Sequence, residues 1–277
     1  MKQILLLKAA AACAAVIIGC IGCTRKAAGS LKVQDTSAAA DLLKTVQERG
    51  EVIIAMEGTW APWTYHDEKN ELTGFDVEVA KLIAAKLGVR AAFAEGEWSG
   101  LFAGLDSKRY DIIVNGVEVT PERSEKYDFS DPYAYIHTAL IVRTDNTAVK
   151  SFEDLKGKKT ANSISSTYMT LAEKYGATAS GVETLDQTFD LVLSKRVDAT
   201  LNAEVSYYDY MHVHPDAALK VAALTPDASN VCIPMRKGYE TASFRKAVNK
   251  AISDIRASGE LAAVSQKYFG RDITSVK

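Results

Sequence analysis

The chain has 277 residues, 47% apolar and 25% charged, an ordinary globular balance with room for one large domain or two lobes. A net charge of −2, with both signs mixed along the sequence, excludes the basic footprint of a nucleic-acid binder. Of four cysteines only Cys232 lies beyond residue 23, so the folded part holds no internal disulfide, and the four histidines stand in no metal-binding pattern.

In chain order, Met1, Lys2 and Lys8 make a basic start, and Ala9 to Ile21 is an apolar run of signal-peptide length, short for a bilayer span. It ends in Ile17-Ile-Gly-Cys20-Ile-Gly-Cys23, an apolar stretch, a small residue, then Cys, which resembles the bacterial lipobox. That resemblance implies a diacylglycerol on Cys20, with Cys23 as the alternative, and at about 0.8 kcal/mol per buried methylene the acyl chains hold a protein at a membrane surface. Residues 1–22 are expected to be signal and lipobox. Residues 23–40, small and polar without apolar period, are expected to be a flexible tether.

Asp41 to Arg49 has helical spacing stopped by Gly50, Glu51 to Met56 is a β-rich run, and Glu57 to Trp63 reads as a loop. A helix is predicted over Leu72 to Gly88, with Phe75, Val79, Leu82, Ile83, Ala84 and Leu87 on one face. Then come a strand over Val89 to Ala94, a helix over Gly100 to Lys108 and an apolar strand over Tyr110 to Asn115. After Arg143 the alternation restarts: a short capped helix at Ser151, strands over Lys158 to Ala161 and Asp198 to Leu201, helices over Ser166 to Tyr175 and Gln187 to Ser194. His212-Val-His214, beside Pro215, reads as a surface turn rather than a ligand pair. Helices close the chain over Phe244 to Ala257 and from Gly259 to Tyr268. Alternating β and α units with apolar strands predict a mostly parallel α/β sheet, twice, with a ligand near the carboxyl ends of the strands.

Four stretches sharpen this: Glu57-Gly-Thr-Trp-Ala-Pro-Trp63, Leu72-Thr-Gly-Phe-Asp-Val-Glu78, Trp98-Ser-Gly-Leu-Phe-Ala-Gly-Leu-Asp-Ser-Lys-Arg-Tyr-Asp111, and Thr120-Pro-Glu-Arg-Ser-Glu-Lys-Tyr-Asp-Phe-Ser-Asp-Pro-Tyr133. With Asp154-Leu-Lys-Gly-Lys158, Arg196-Val-Asp-Ala199 and Gly259 to Gly270, they resemble, in order and spacing, the polar amino acid group of periplasmic solute-binding proteins, nearest the cystine-type binders. The resemblance implies a two-lobed venus-flytrap α/β fold of type II, with two crossing hinge strands. Lobe 1 is expected over 41–135 and 230–277 and lobe 2 over 136–229. It further implies capture of a free amino acid (cystine, neutral polar or basic) for the permease subunits of an ABC importer, by a monomer lipid-anchored on the extracytoplasmic face, with no cofactor, metal or nucleic acid.

By the same resemblance Arg123 grips the α-carboxylate, a role suited to the bidentate guanidinium fork. Ser166 and Thr167 complete the carboxylate cage at a helix start, where free amides attract anions. Trp60 and Trp98 face the ligand across the cleft, Trp63 is structural, and Asn115 and Gly116 offer backbone groups. The family's Asp for the α-ammonium falls on Ala203 here. Glu118, where the family often has Ser or Thr, is expected to replace it, with Glu204 the competitor, which alternation points the other way. Glu57, three residues before Trp60, sits where the family often puts an acid for basic side chains. The alternatives are a cyclohexadienyl dehydratase-like enzyme, in which Glu57 or Glu118 acts as the acid, and a stand-alone sensor; no nucleophile–base pair supports the former.

Overall fold

The computed structural model describes residues 40–275; Cys20, Cys23 and all but the last residue of the tether lie outside them. The Asp41 carboxylate accepts the Lys44 amide at 3.0 Å to cap α1 (Leu42–Arg49), and Gly50 ends that helix in the left-handed conformation. After β1 (Glu51–Met56), the segment expected as a loop contains β2 (Thr59–Trp60), which forms an antiparallel meander with β3 (Thr64–His66) and β4 (Leu72–Thr73). The helix expected from Leu72 therefore starts later, as α2 (Phe75–Leu87). Gly74 makes the turn into it with φ 128°, where a Cβ would lie 2.2 Å from the Trp63 carbonyl oxygen.

β5 (Arg90–Glu95), α3 (Trp98–Asp106) and β6 (Ile112–Ile113) complete a parallel three-stranded sheet, order β5-β1-β6. The last strand is shorter than predicted because its ends serve other partners. The Asp111 carboxylate accepts the Ile53 amide at 2.7 Å and pairs with Arg49, while Asn115 turns toward Glu57. Alternation along β1 puts Ile54 in the large cluster with Phe75 and Ile252, and Ala55 in a second cluster with Trp98, Leu101 and Leu105.

A one-turn helix α4 (Pro121–Lys126), capped by Thr120, leads into β7 (Tyr127–Phe129) and β8 (Ala134–Ile136). The second α/β body follows: β9 (Thr138–Arg143), a 3-10 turn at Phe152–Leu155 with a Ser151 capping box, β10 (Lys159–Ser163), α5 (Thr167–Lys174), β11 (Thr178–Val182), α6 (Leu185–Leu193), β12 (Ala199–Ala203), α7 (Glu204–Val213) and β13 (Leu219–Leu224). Its sheet runs β11-β10-β12-β9-β13, parallel through β12 but antiparallel at β9 and β13, so it is mixed rather than mostly parallel. The reason is connectivity. Strand β9 leaves a crossing strand at the very edge where β12 ends, Thr138 facing Ala203, so the two must run in opposite senses. His212 lies in the last turn of α7 and His214 at its C-cap, which corrects the surface turn expected there.

β14 (Ser229–Val231) and β15 (Pro234–Arg236) return to the first body, pairing antiparallel with β8 and β7. α8 (Tyr239–Ala257) begins earlier than its apolar stripe, fixed by the Thr241 hydroxyl, which donates to the Arg236 carbonyl at 2.6 Å. α8 and α9 (Glu260–Phe269) pack on α2. The result is the two-lobed type II architecture, its two α/β bodies joined by the paired crossing strands.

Candidate functional site

Between the two sheets lies a partly open pocket, at the carboxyl ends of β1, β6, β10 and β12. It gathers Glu57, Trp60, Trp98, Asn115, Gly116, Glu118 and Arg123 from one side, and Ser166 and Thr167 from the other. Of the ten residues singled out from the sequence, only Glu204 stays away. Strand β12 ends at Ala203, and Glu204, as the first residue of α7, pairs at 2.7 Å with Arg271 against a separate surface cavity.

The first wall is braced from behind. The Asn115 side chain accepts the Glu57 amide at 2.8 Å and the Thr64 hydroxyl at 3.3 Å, and donates to the Glu57 carboxylate at 2.6 Å. Burial nevertheless pushes the Glu57 carboxyl up to about 7, the Asn115 bond opposing. Gly116, at φ 55°, lets the backbone pass under Trp60, where a Cβ would lie 2.5 Å from the indole. Its amide donates at 2.5 Å to Asp76, so that amide is already engaged. Asp76 is fully buried and also accepts the Tyr133 hydroxyl at 2.8 Å; burial pushes its carboxyl up to about 7. Trp60 stacks on Trp63, centroids 5.2 Å apart, and the Trp63 indole donates to Ser206 of α7 at 3.1 Å.

Arg123 sits on α4 with its guanidinium 5.2 Å from the Trp98 ring and 5.3 Å from Phe102, donating to the Glu118 backbone carbonyl at 2.9 Å. Burial lowers its pKa from the usual arginine value, and the nearby Glu118 opposes this. Among the described residues no carboxylate side chain pairs with it, neither Glu122 nor Asp128, which meets Arg245 instead. The Glu118 side chain is buried and accepts the Thr167 hydroxyl across the cleft.

The second wall is neutral. Ser166 caps α5, its hydroxyl accepting the Met169 amide at 3.1 Å. Sequence reasoning stopped there and missed Ser163, Tyr168, Leu185 and Asn202, which also line the cavity. It missed Asp76 as well, although an acid between Phe75 and Val77 at the start of an apolar helix face was a readable signal. The Tyr168 hydroxyl is buried near Glu118 and Arg123; the Ala203 amide approaches its oxygen but donates to Asn202 at 2.9 Å, so no well-formed hydrogen bond reaches it among the described residues.

The model of the bacterial extracellular solute-binding proteins, family 3, matches residues 52–271. A probable amino-acid ABC transporter-binding protein of Haemophilus influenzae is 36% identical over 246 residues, 89% of this chain and 95% of that one. The L-cystine-binding protein TcyA of Bacillus subtilis is 36% identical over 242 residues, covering 87% and 89%. Among solved structures, an ancestral arginine-binding protein bound to arginine superposes with TM-score 0.75 at 32% identity, covering 80% of this chain and 99% of that one. The L-cystine solute receptor of Neisseria gonorrhoeae in its unliganded open conformation, 35% identical and covering 86% and 100%, reaches only 0.59.

Proposed function

The chain belongs to the bacterial extracellular solute-binding proteins, family 3, and from that premise we propose that it captures a free amino acid between its lobes and delivers it to the permease of an ABC importer outside the cytoplasmic membrane. One observation carries the ligand class: a buried guanidinium held over two aromatic rings in the cleft, with Glu118 near it but no salt bridge to any carboxylate among the described residues. A carboxylate from outside the chain is the natural counter-ion, and the fork of Arg123 takes it bidentately. Ser166 and Thr167 face it from the start of α5. Glu118 takes the α-ammonium, and Trp60 and Glu57 receive the far end of the side chain.

Two carboxylates against one guanidinium disfavour acidic amino acids and suit a ligand with a second donor or cation at its far end. Cystine, neutral polar and basic amino acids all meet that description, and the named ligands of the relatives, cystine and arginine, fall within it. Lobe limits of 41–135 with 230–277, and 136–229, go with this reading, as do a monomeric state and a lipid on Cys20, or on Cys23. Mass spectrometry of the membrane-extracted protein distinguishes the two thiols.

Binding rather than catalysis is the proposed role. The raised pKa of the Glu57 carboxyl is the feature a dehydratase acid would share, and prephenate turnover by the purified protein would reverse the assignment. The direct test is a calorimetric panel of the common L-amino acids and L-cystine. Tight binding of one or a few is expected; binding of none would overturn the reading.

A further inference from the structure

Tyr168 is the second residue of α5, and its ring is buried in the wall of the ligand cavity. The hydroxyl makes no well-formed hydrogen bond among the described residues: the Ala203 amide approaches its oxygen but donates to Asn202 at 2.9 Å, and the charged groups Glu118 and Arg123 lie near. A buried phenol normally finds a partner, so one left without any in a ligand cavity points toward the ligand. Burial, reinforced by Glu118, holds it protonated well above the usual tyrosine range; even with the Ala203 amide close by, it keeps its O–H donor and a lone pair to offer.

An ammonium carries three N–H donors and calls for as many acceptors. Near its expected place, Ala203 contributes a methyl group, and the Asn202 side-chain oxygen is occupied by the Ala203 amide at 2.9 Å. One Glu118 oxygen already accepts Thr167, and the Glu57 carboxylate holds Asn115. We propose that the Tyr168 hydroxyl is a second acceptor for the α-ammonium of the bound amino acid, working from the second lobe opposite Glu118. This rests on the amino-acid reading above. It makes Tyr168 a ligand-binding residue and explains how a wall with no carboxylate of its own takes part in holding a cation.

The test is Tyr168→Phe, which deletes only the hydroxyl. Wild type and variant are titrated calorimetrically with the common L-amino acids and L-cystine, and both are melted without ligand. The tightest binder is expected to lose about 10- to 100-fold in affinity, the range for a hydrogen bond to a charged group. The ligand-free variant is expected to melt at or above the wild-type temperature, because it no longer buries an unpaired hydroxyl. In a ligand-bound crystal structure the phenol oxygen is expected within about 3.2 Å of the ligand nitrogen. Affinity within threefold of wild type would overturn the proposal and leave the amino-acid reading intact, as would a lowered ligand-free melting temperature, the mark of a structural tyrosine. Wild type binding none of the panel would overturn both.

Discussion

The two walls of the cleft are built on different principles. The first carries every formal charge lining the cavity and its two tryptophans, and much of it is braced from its own side: Asn115 holds Glu57, Asp76 and Tyr133 sit behind Gly116, Trp63 behind Trp60, and the Glu118 carbonyl holds Arg123. The second offers hydroxyls, an amide and a leucine at the start of two helices and the ends of two strands. On the proposed reading the difference is a division of labour: the first wall meets the ligand's charges with charges, and the second meets the ligand with neutral groups. Burying a hydroxyl costs less than burying a charge, so a neutral wall is the cheaper one to bring against a ligand.

That contrast can be broken in four places, beginning with the largest effect. Arg123→Ala is expected to weaken binding of the tightest amino acid by about 4 kcal/mol in calorimetry, the upper range for truncating one side of a buried charge pair, without altering the circular dichroism of the free protein. Glu118→Gln is expected to cost about 2–3 kcal/mol of affinity and, because Glu118 also accepts Thr167 across the cleft, to shift small-angle scattering of the liganded protein toward the open form. An unchanged Kd would remove Glu118 from the ammonium site.

Third, Asp76 tests whether the bracing behind the first wall is proton-linked. Its carboxyl sits at about 7 when folded, above the unfolded value near 3.9. The folded state therefore binds more protons between those limits, and the stability from this group is complete below about pH 4 and lost as pH rises through 7. Denaturant unfolding is expected to give roughly 2 kcal/mol more stability from this group at pH 5 than at pH 7.5, and Asp76→Asn to remove that share of the difference. Last, Glu204→Gln breaks the pair between a buried carboxylate and Arg271, whose side chain is 42% exposed and lets water screen the pair, so a stability loss of about 1 kcal/mol is expected, with ligand affinity nearly unchanged. A loss of affinity as large as that of Glu118→Gln would return Glu204 to the site.

The residues of the first wall were legible through the resemblance, because they sit in ordered motifs such as Thr120 to Tyr133; the cap of α4 by Thr120 is local structure that the motif carries with it. What escaped was set by long-range contacts. The late start of α2 depends on a Trp63 carbonyl that Gly74 must pass, and the sense of β9 on where a crossing strand enters the second sheet. Tyr168 follows two recognised cavity residues, but at that position an aromatic reads as core until its hydroxyl is found without a partner. Alternation anticipated that Glu204 would point away from the ammonium; the strand in fact ends one residue earlier and a helix turns the side chain to Arg271.

The chain contains three tryptophans, and all three belong to this one place: Trp60 and Trp98 line the cavity, and Trp63 stacks behind Trp60. Intrinsic indole emission therefore comes from the cleft and from the Trp63 ring packed directly behind it. A titration followed at the emission maximum reads occupancy of the unlabelled protein directly, and an acrylamide quenching curve reports how far the cleft stands open.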